Sequence, residues 1–350
     1  MDPDQDEAEK RPEAEVVAKR TPLPGPGILG AIGWLLVLFG AQLFVGAVAG
    51  VALLVYAQAT GTQFANLQGG PLLLLIGTAG NLLLALLVVA LLYGRKMAQI
   101  LAIRDARPLH LLLVVLIAPP LSLLASEVNN WVAEFAPNVS FMMEVFAEFA
   151  KQPLWLLLVV GCLIPAVAEE IYFRGLLGRG LVARYGIVGG TLLTSFFFAV
   201  IHVDPVQASS ALVLGVALQL TYLATKSLLV PILLHLLNNA LAFTSSRLPE
   251  WIQVPGYTLG PDEGVTHTPL LLVVAAIAAS VTLGFVFYNS RSQWVTSDGV
   301  RWSPGYVTAE SPDKASGAEL LVQRPRTGSV LLAFAAYAVF VGGLVWVVFN

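Results

Sequence analysis

Charge is scarce in this chain: 19 basic and 22 acidic residues among 350, or 12%. A soluble globular protein carries about 25%. Too little polar surface remains to dissolve the chain, which excludes a soluble enzyme and a coiled coil. Cysteine is nearly absent as well. The single Cys162 excludes a disulfide scaffold and, lying inside an apolar run, reads as a core thiol. Nor is there a block of basic charge. The net charge is −3 and the basic residues are scattered between apolar runs, so no nucleic-acid partner is expected.

Apolar residues, by contrast, make up 57% of the chain, and its mean hydropathy is +0.78. Many of its apolar runs approach the roughly 20 residues with which a helix crosses about 30 Å of hydrocarbon. The expected fold class is therefore all-α, a polytopic transmembrane helical bundle whose first partner is the lipid bilayer. Hydropathy places nine spans, with eight as the alternative count: 28–57, 71–93, 108–126, 153–174, 187–203, 208–225, 227–246, 269–288 and 329–349.

Six regions follow. Residues 1–26 form an acidic tail too poor in apolar side chains to fold alone. Its acidic opening and the long run after it do not fit a secretory signal, so the first span is expected to stay as an anchor. A transmembrane hairpin occupies 27–107, a core 108–246, and a loop with an additional span 247–288. A polar insertion covers 289–328, where a loose alternation of Trp294, Val295, Val300, Trp302, Tyr306 and Val307 around Asp298 and Gly299 predicts a hairpin. A last span occupies 329–350. With the tail in the cytoplasm, every basic residue outside the membrane except Lys151 and Arg247 falls on the cytoplasmic side, which is the asymmetry expected of that orientation. The stretch 127–152, with Glu127, Glu134, Glu144 and Glu148 among aromatics, suggests an amphipathic helix at the outer interface. His110 and His267 read as interface residues.

Ionisable groups within spans cost at least about 2.5–3.5 kcal/mol each on insertion scales. Such groups cluster in the fourth to seventh spans, where Glu169, Glu170, Arg174, His202 and His235 are joined by the neutral amides Asn238 and Asn239. Glu170 and Arg174 stand at i and i+4, where carboxylate and guanidinium can pair. Glu169 is turned about 100° away and has Phe173 at its own i+4 position, so it points elsewhere in the bundle. A carboxylate in a desolvated setting is suited to accept a proton from water. His235 and Asn239, again i and i+4, bring an imidazole and a carboxamide to one face, the groups that stabilise an oxyanion. His202 closes the fifth span ahead of Val203-Asp204-Pro205. Together these are the parts of an amide hydrolase that needs no covalent nucleophile.

The segments Glu169-Glu170-Ile171-Tyr172-Phe173-Arg174, Phe198-Ala199-Val200-Ile201-His202 and His235-Leu236-Leu237-Asn238-Asn239 resemble the EExxxR, FxxxH and HxxxN motifs of the CPBP intramembrane endopeptidases. That family includes type II CAAX prenyl proteases and bacteriocin-immunity proteins. The resemblance covers about 108–246. It implies an all-helical core, Glu169 and His202 as water activators, His235 and Asn239 as stabilisers of the tetrahedral intermediate, and Glu170 with Arg174 as supports. The substrate it implies is a membrane-associated peptide or protein, prenylated C-terminal peptides being one class. No cofactor is required in the preferred reading. The alternative is a divalent metal such as zinc on Glu169, His202 and His235, although the HExxH signature is missing. A non-catalytic immunity or partner-binding protein using the same polar cavity is the runner-up, and a small-solute transporter is a weaker third. The preference for Arg over Lys, with Ala, Gly and Leu, points to the plasma membrane of a bacterium. One conflict stands: these boundaries put Glu169 near the cytoplasmic end of its helix and His202 near the outer end of the next. Either the fourth helix runs on through Gly175 to Gly180, or the fifth is displaced inward.

Overall fold

The computed structural model describes residues 23–61, 69–136, 151–245, 247–257, 265–302 and 317–349, with isolated positions at 149, 309 and 312. The acidic tail up to residue 22, and half of the proposed amphipathic stretch, lie outside the described residues. The architecture is an all-α bundle of apolar helices with a small two-stranded sheet. Helices dominate because hydrocarbon offers the backbone no hydrogen bonds, and only a helix satisfies its own N–H and C=O groups.

Helix α1 spans Ile28–Thr60 and α2 Gly69–Tyr93, and the two pack as a pair. Helix α3 spans Pro108–Phe135 and starts with proline at a position where no N–H is needed. Pro119 and Pro120 lie inside it, a placement that bundle neighbours make tolerable in membrane helices. Because α3 continues to Phe135, Glu127 and Glu134 extend this span instead of opening a separate interfacial helix.

The fourth and fifth spans follow one another without a loop over Leu154–Val200 and fold back on each other at Gly186. Gly186 has φ 74° and ψ −179°, a combination open essentially only to glycine. We call the arms α4 (154–185) and α5 (187–200). Thus α4 runs far past Arg174, and the first of the two resolutions of the depth conflict holds. Helix α6 is Pro205–Thr225, α7 Leu229–Ser245, α8 Leu270–Asn289 and α9 Thr327–Phe349. Asp204 caps α6, its Oδ1 accepting from the N–H groups of Val206 and Gln207. Among the described residues, seven helices, counting 154–200 once, are long and apolar enough to cross a membrane, and α7 is a shorter apolar helix. Divided at Gly186, the long rods among the described residues number nine, in the order hydropathy predicts.

Strands β1 (Ser292–Val295) and β2 (Glu319–Val322) pair antiparallel, Ser292 opposite Val322 and Val295 opposite Glu319. The tight turn at Asp298 and Gly299 is present, with Thr296 N–H donating to Val300 O and Gly299 at φ 80°. The pairing with 319–322 was not foreseen. One end of the bundle is basic. There Arg104 lies over the Trp294 ring, Arg107 donates to Leu320 O, and Arg184 donates to Pro24 O. The opposite end carries Glu127, Glu134 and His267.

The core runs through Val114 of α3, Phe173 and Leu177 of α4, Phe198 of α5, Leu218 and Tyr222 of α6 and Leu234 of α7. A smaller cluster joins Leu123 to α8 and α9. Helices α1 and α9 leave most of their apolar side chains exposed, as suits a surface that faces lipid, and α2 buries few of its described ones. His110 corrects its sequence reading: it is 1% exposed, donates from Nε2 to Ser290 O at 2.9 Å, and stacks on Phe287. Cys162 is buried and free.

Candidate active site

Helix α4 changes pitch twice around the glutamate pair. Leu157–Leu163 and Ile171–Gly178 are wide π-type stretches, and Ile164–Glu170 between them is α-helical. Such insertions recur at functional sites because they re-aim side chains without ending a helix. Pro165 contributes, since it has no N–H to return to Gly161 four residues earlier. Asn239 Nδ2 donates to that same Gly161 O at 3.4 Å.

Glu170 and Arg174 pair as their spacing predicts, Nη1 to Oε1 at 2.7 Å, both fully buried. The guanidinium also donates from Nη2 to Gly215 O at 3.1 Å and lies 4.6 Å over the Phe198 ring. Glu170 has a second partner on another helix: His235 Nδ1 lies 3.0 Å from the same Oε1. The other ring nitrogen, Nε2, faces Glu169 Oε2 at 3.8 Å. One imidazole on α7 therefore stands between the two adjacent carboxylates of α4. Glu169 is the more open of the two, 23% against 0%, and its Oε2 is buried without a hydrogen-bond partner among the described residues.

His202 follows α5, its Nδ1 2.9 Å from Phe198 O. A carbonyl only accepts, so Nδ1 carries the proton and Nε2 presents a lone pair. The Phe198 ring is the shared neighbour of both imidazoles, edge-on to His202 at 5.1 Å and to His235 at 5.6 Å. The two histidines are thus no farther apart than those distances summed. The structure thereby brings Arg174, His202 and His235 against one aromatic ring, joins Glu169 and Glu170 to them through His235, and sets Asn239 one turn along α7 on the face toward Gly161. Sequence reasoning gave Phe198 no role beyond its motif position, because only its packing reveals one. Asn238, beside this group, reaches Asn239 Oδ1 at 3.5 Å.

A divalent metal was open to Glu169, His202 and His235. Among the described residues no three His, Cys, Asp or Glu side chains gather closely enough to hold one. The residues do not fit that group as placed, and no step below passes through it.

These features define a multi-pass helical membrane protein with an acid and imidazole site buried in its core. Residues 151–241 match the family described as type II CAAX prenyl endopeptidase Rce1-like. The match spans all three motifs, so the segment that carries them is similar to the CAAX protease family that the motifs resemble. No curated protein and no solved structure matches the chain.

Proposed function

We propose that the protein is an intramembrane endopeptidase that cleaves peptide bonds of membrane-associated substrates, prenylated C-terminal peptides among them, with the basic end of the bundle in the cytoplasm. In this reading Glu169 takes a proton from water, with His202 Nε2 as the second acceptor, and the hydroxide attacks the carbonyl carbon. Asn239 Nδ2 donates to the resulting oxyanion in any protonation state. Oxyanion donation from His235 Nε2 requires the doubly protonated ring, because its Nδ1–H is already committed to Glu170. As the C–N bond breaks, the proton held by Glu169 passes to the leaving amine.

The observation that carries the reading is the convergence of Glu169, Glu170 and His235 from two helices in an apolar core. A structural ion pair needs only Glu170 and Arg174. The second carboxylate, Glu169, adds nothing to that pairing and is costly to bury. The test is Glu169→Gln in proteoliposomes presented with membrane-anchored peptides. Loss of a general base predicts cleavage lower by about 10²–10⁴-fold with insertion intact. Full cleavage by the variant defeats the assignment. Unchanged partner binding or protection, with no cleavage by either protein, favours a non-catalytic binding protein.

A further inference from the structure

A second group of polar atoms lies inside the bundle, between the candidate site and the basic end. Gln219 of α6 is 0% exposed, and neither Oε1 nor Nε2 has a hydrogen-bond partner among the described residues. The hydroxyl of Thr191 on α5, in a residue 3% exposed, is in the same condition, as is Nε of the fully buried Arg174. Glu170 Oε2 and Glu169 Oε2 complete the series.

These atoms are neighbours by helix geometry. A Cβ built on Gly215 of α6 would meet Ser195 Cα of α5 at 3.1 Å, so the two helices touch at that level. They form an antiparallel hairpin through the turn at 201–204. One turn back along α5 and one turn on along α6 therefore bring Thr191 beside Gln219. Arg174 marks the level above, donating to Gly215 O. One turn farther along α4, a Cβ on Gly178 would stand 2.7 Å from Gln219 Oε1. The bare backbone of Gly178 is what admits the carboxamide.

A carboxamide with both ends unpartnered is costly in hydrocarbon, and buried polar groups of native proteins are satisfied by protein or by ordered water. A buried water needs two to four polar partners. The set offers donors in Gln219 Nε2 and Arg174 Nε, an acceptor in Gln219 Oε1, and both in Thr191. A molecule that donates and accepts fits this mixture. An added ion does not, since the charge of Arg174 is already matched by Glu170. We propose that Gln219, Thr191 and Arg174 form an internal hydration site whose water runs on to Glu170 and Glu169, and that this water supplies the hydrolytic reaction. The hydration stands by itself, whereas its link to turnover rests on the hydrolase reading above.

Cysteine accessibility tests the hydration. In a Cys162→Ala background, Gln219→Cys is expected to react with a small water-soluble methanethiosulfonate at least ~10-fold faster than Leu214→Cys or Leu218→Cys, whose side chains on the same helix are equally buried. Thiolate formation requires water, so equal slow labelling at all three positions overturns the proposal. The link to turnover is tested by Gln219→Leu and Thr191→Val. Both are expected to lower kcat about 10-fold with KM unchanged, with Gln219→Glu restoring most of it. Wild-type kcat in both apolar variants overturns the link. A dry site leaves the outcome of Glu169→Gln unaffected, so failure here and failure of the hydrolase reading are distinct results.

Discussion

Glu170 Oε1 is shared by Arg174 and His235, at 2.7 Å and 3.0 Å. The residue assigned from sequence as a support thus touches an imidazole assigned to the chemistry. A carboxylate on Nδ1 fixes both the tautomer and the plane of the ring, leaving Nε2 aimed toward Glu169. Support and chemistry form one chain of contacts from Arg174 through Glu170 and His235 to Glu169.

Removing one member of the buried pair leaves the other uncompensated. Glu170→Gln is expected to cost about 3–5 kcal/mol of stability, and Arg174→Met a similar amount. The double variant Glu170→Leu with Arg174→Met is expected to lose less than the two single losses summed, because no unpaired charge remains, while His235 Nδ1 and Gly215 O still give up their partners. Denaturant unfolding of purified protein in detergent measures all three. Additive losses in the double variant would show that Arg174 and Glu170 act independently.

Asn239 is expected to act as a donor to the oxyanion. Asn239→Ala should lower kcat by about 10²–10³-fold, the effect of losing one such donor, with KM nearly unchanged. Asn239→Asp should be equally inactive, since it keeps the shape and loses the N–H. If Asn239→Ala retains kcat and loses thermal stability instead, the side chain serves only its contact with Gly161.

Much of this was legible beforehand. Spans could be placed because the bilayer leaves the backbone no alternative to helix, and the Glu170 and Arg174 pair because i and i+4 always share a face. The course of α4 beyond Arg174 was legible only as one of two ways to bring Glu169 and His202 to one depth. Gly175, Gly178 and Gly180, interleaved with Arg174, Arg179 and Arg184, have the composition of a loop. In the bundle those arginines find buried or capping partners: Glu170 for Arg174, the Tyr93 ring for Arg179, and Gly180 O for Arg184. The glycines serve close packing, as where a Cβ on Gly180 would stand 2.1 Å from Pro26 O. Contact between Glu170 and His235, 65 residues apart, depends on how α4 and α7 rotate about their axes, which no local period records. The partner of β1 was missed for the same reason: Ser292–Val295 pairs across an insertion with Glu319–Val322.

The hairpin of α4 and α5 sets where Phe198 and His202 stand, and Gly190 keeps it closed. A Cβ on Gly190 would meet Val182 Cα at 2.4 Å and Val182 N at 2.6 Å, both backbone atoms that cannot swing aside. Gly190→Ala is therefore expected to spread the arms at a cost of about 1–3 kcal/mol and to lower cleavage without touching a polar group of the site. Gly189→Ala is the control, its nearest neighbour being the Tyr185 side chain at 3.3 Å, which can give way. Equal activity and melting temperature in the two variants would show that closure at Gly190 does not position the site.

At the opposite end of the bundle, His267 clamps the segment before α8 onto α3. Its Nδ1 lies 2.7 Å from Glu127 Oε1, its Nε2 3.0 Å from Glu134 Oε2, and its ring packs on Trp131. The hydrogen bond to Glu127, then that to Glu134, raise His267 above its ordinary value of 6.5. A raised value in the folded state means that folding favours the protonated ring. Its contribution is complete below the unfolded value and fades as pH climbs through the higher folded one. Melting temperature is thus expected to fall between about pH 6 and about pH 9, and to fall less in His267→Gln, which keeps a donor and loses the titration. Scanning calorimetry in detergent at the two pH values makes the comparison. Identical pH slopes for wild type and variant would mean that the clamp holds equally well with a neutral ring, in which case Thr268 N–H, which donates to Glu127 Oε2 at 2.9 Å, carries the attachment.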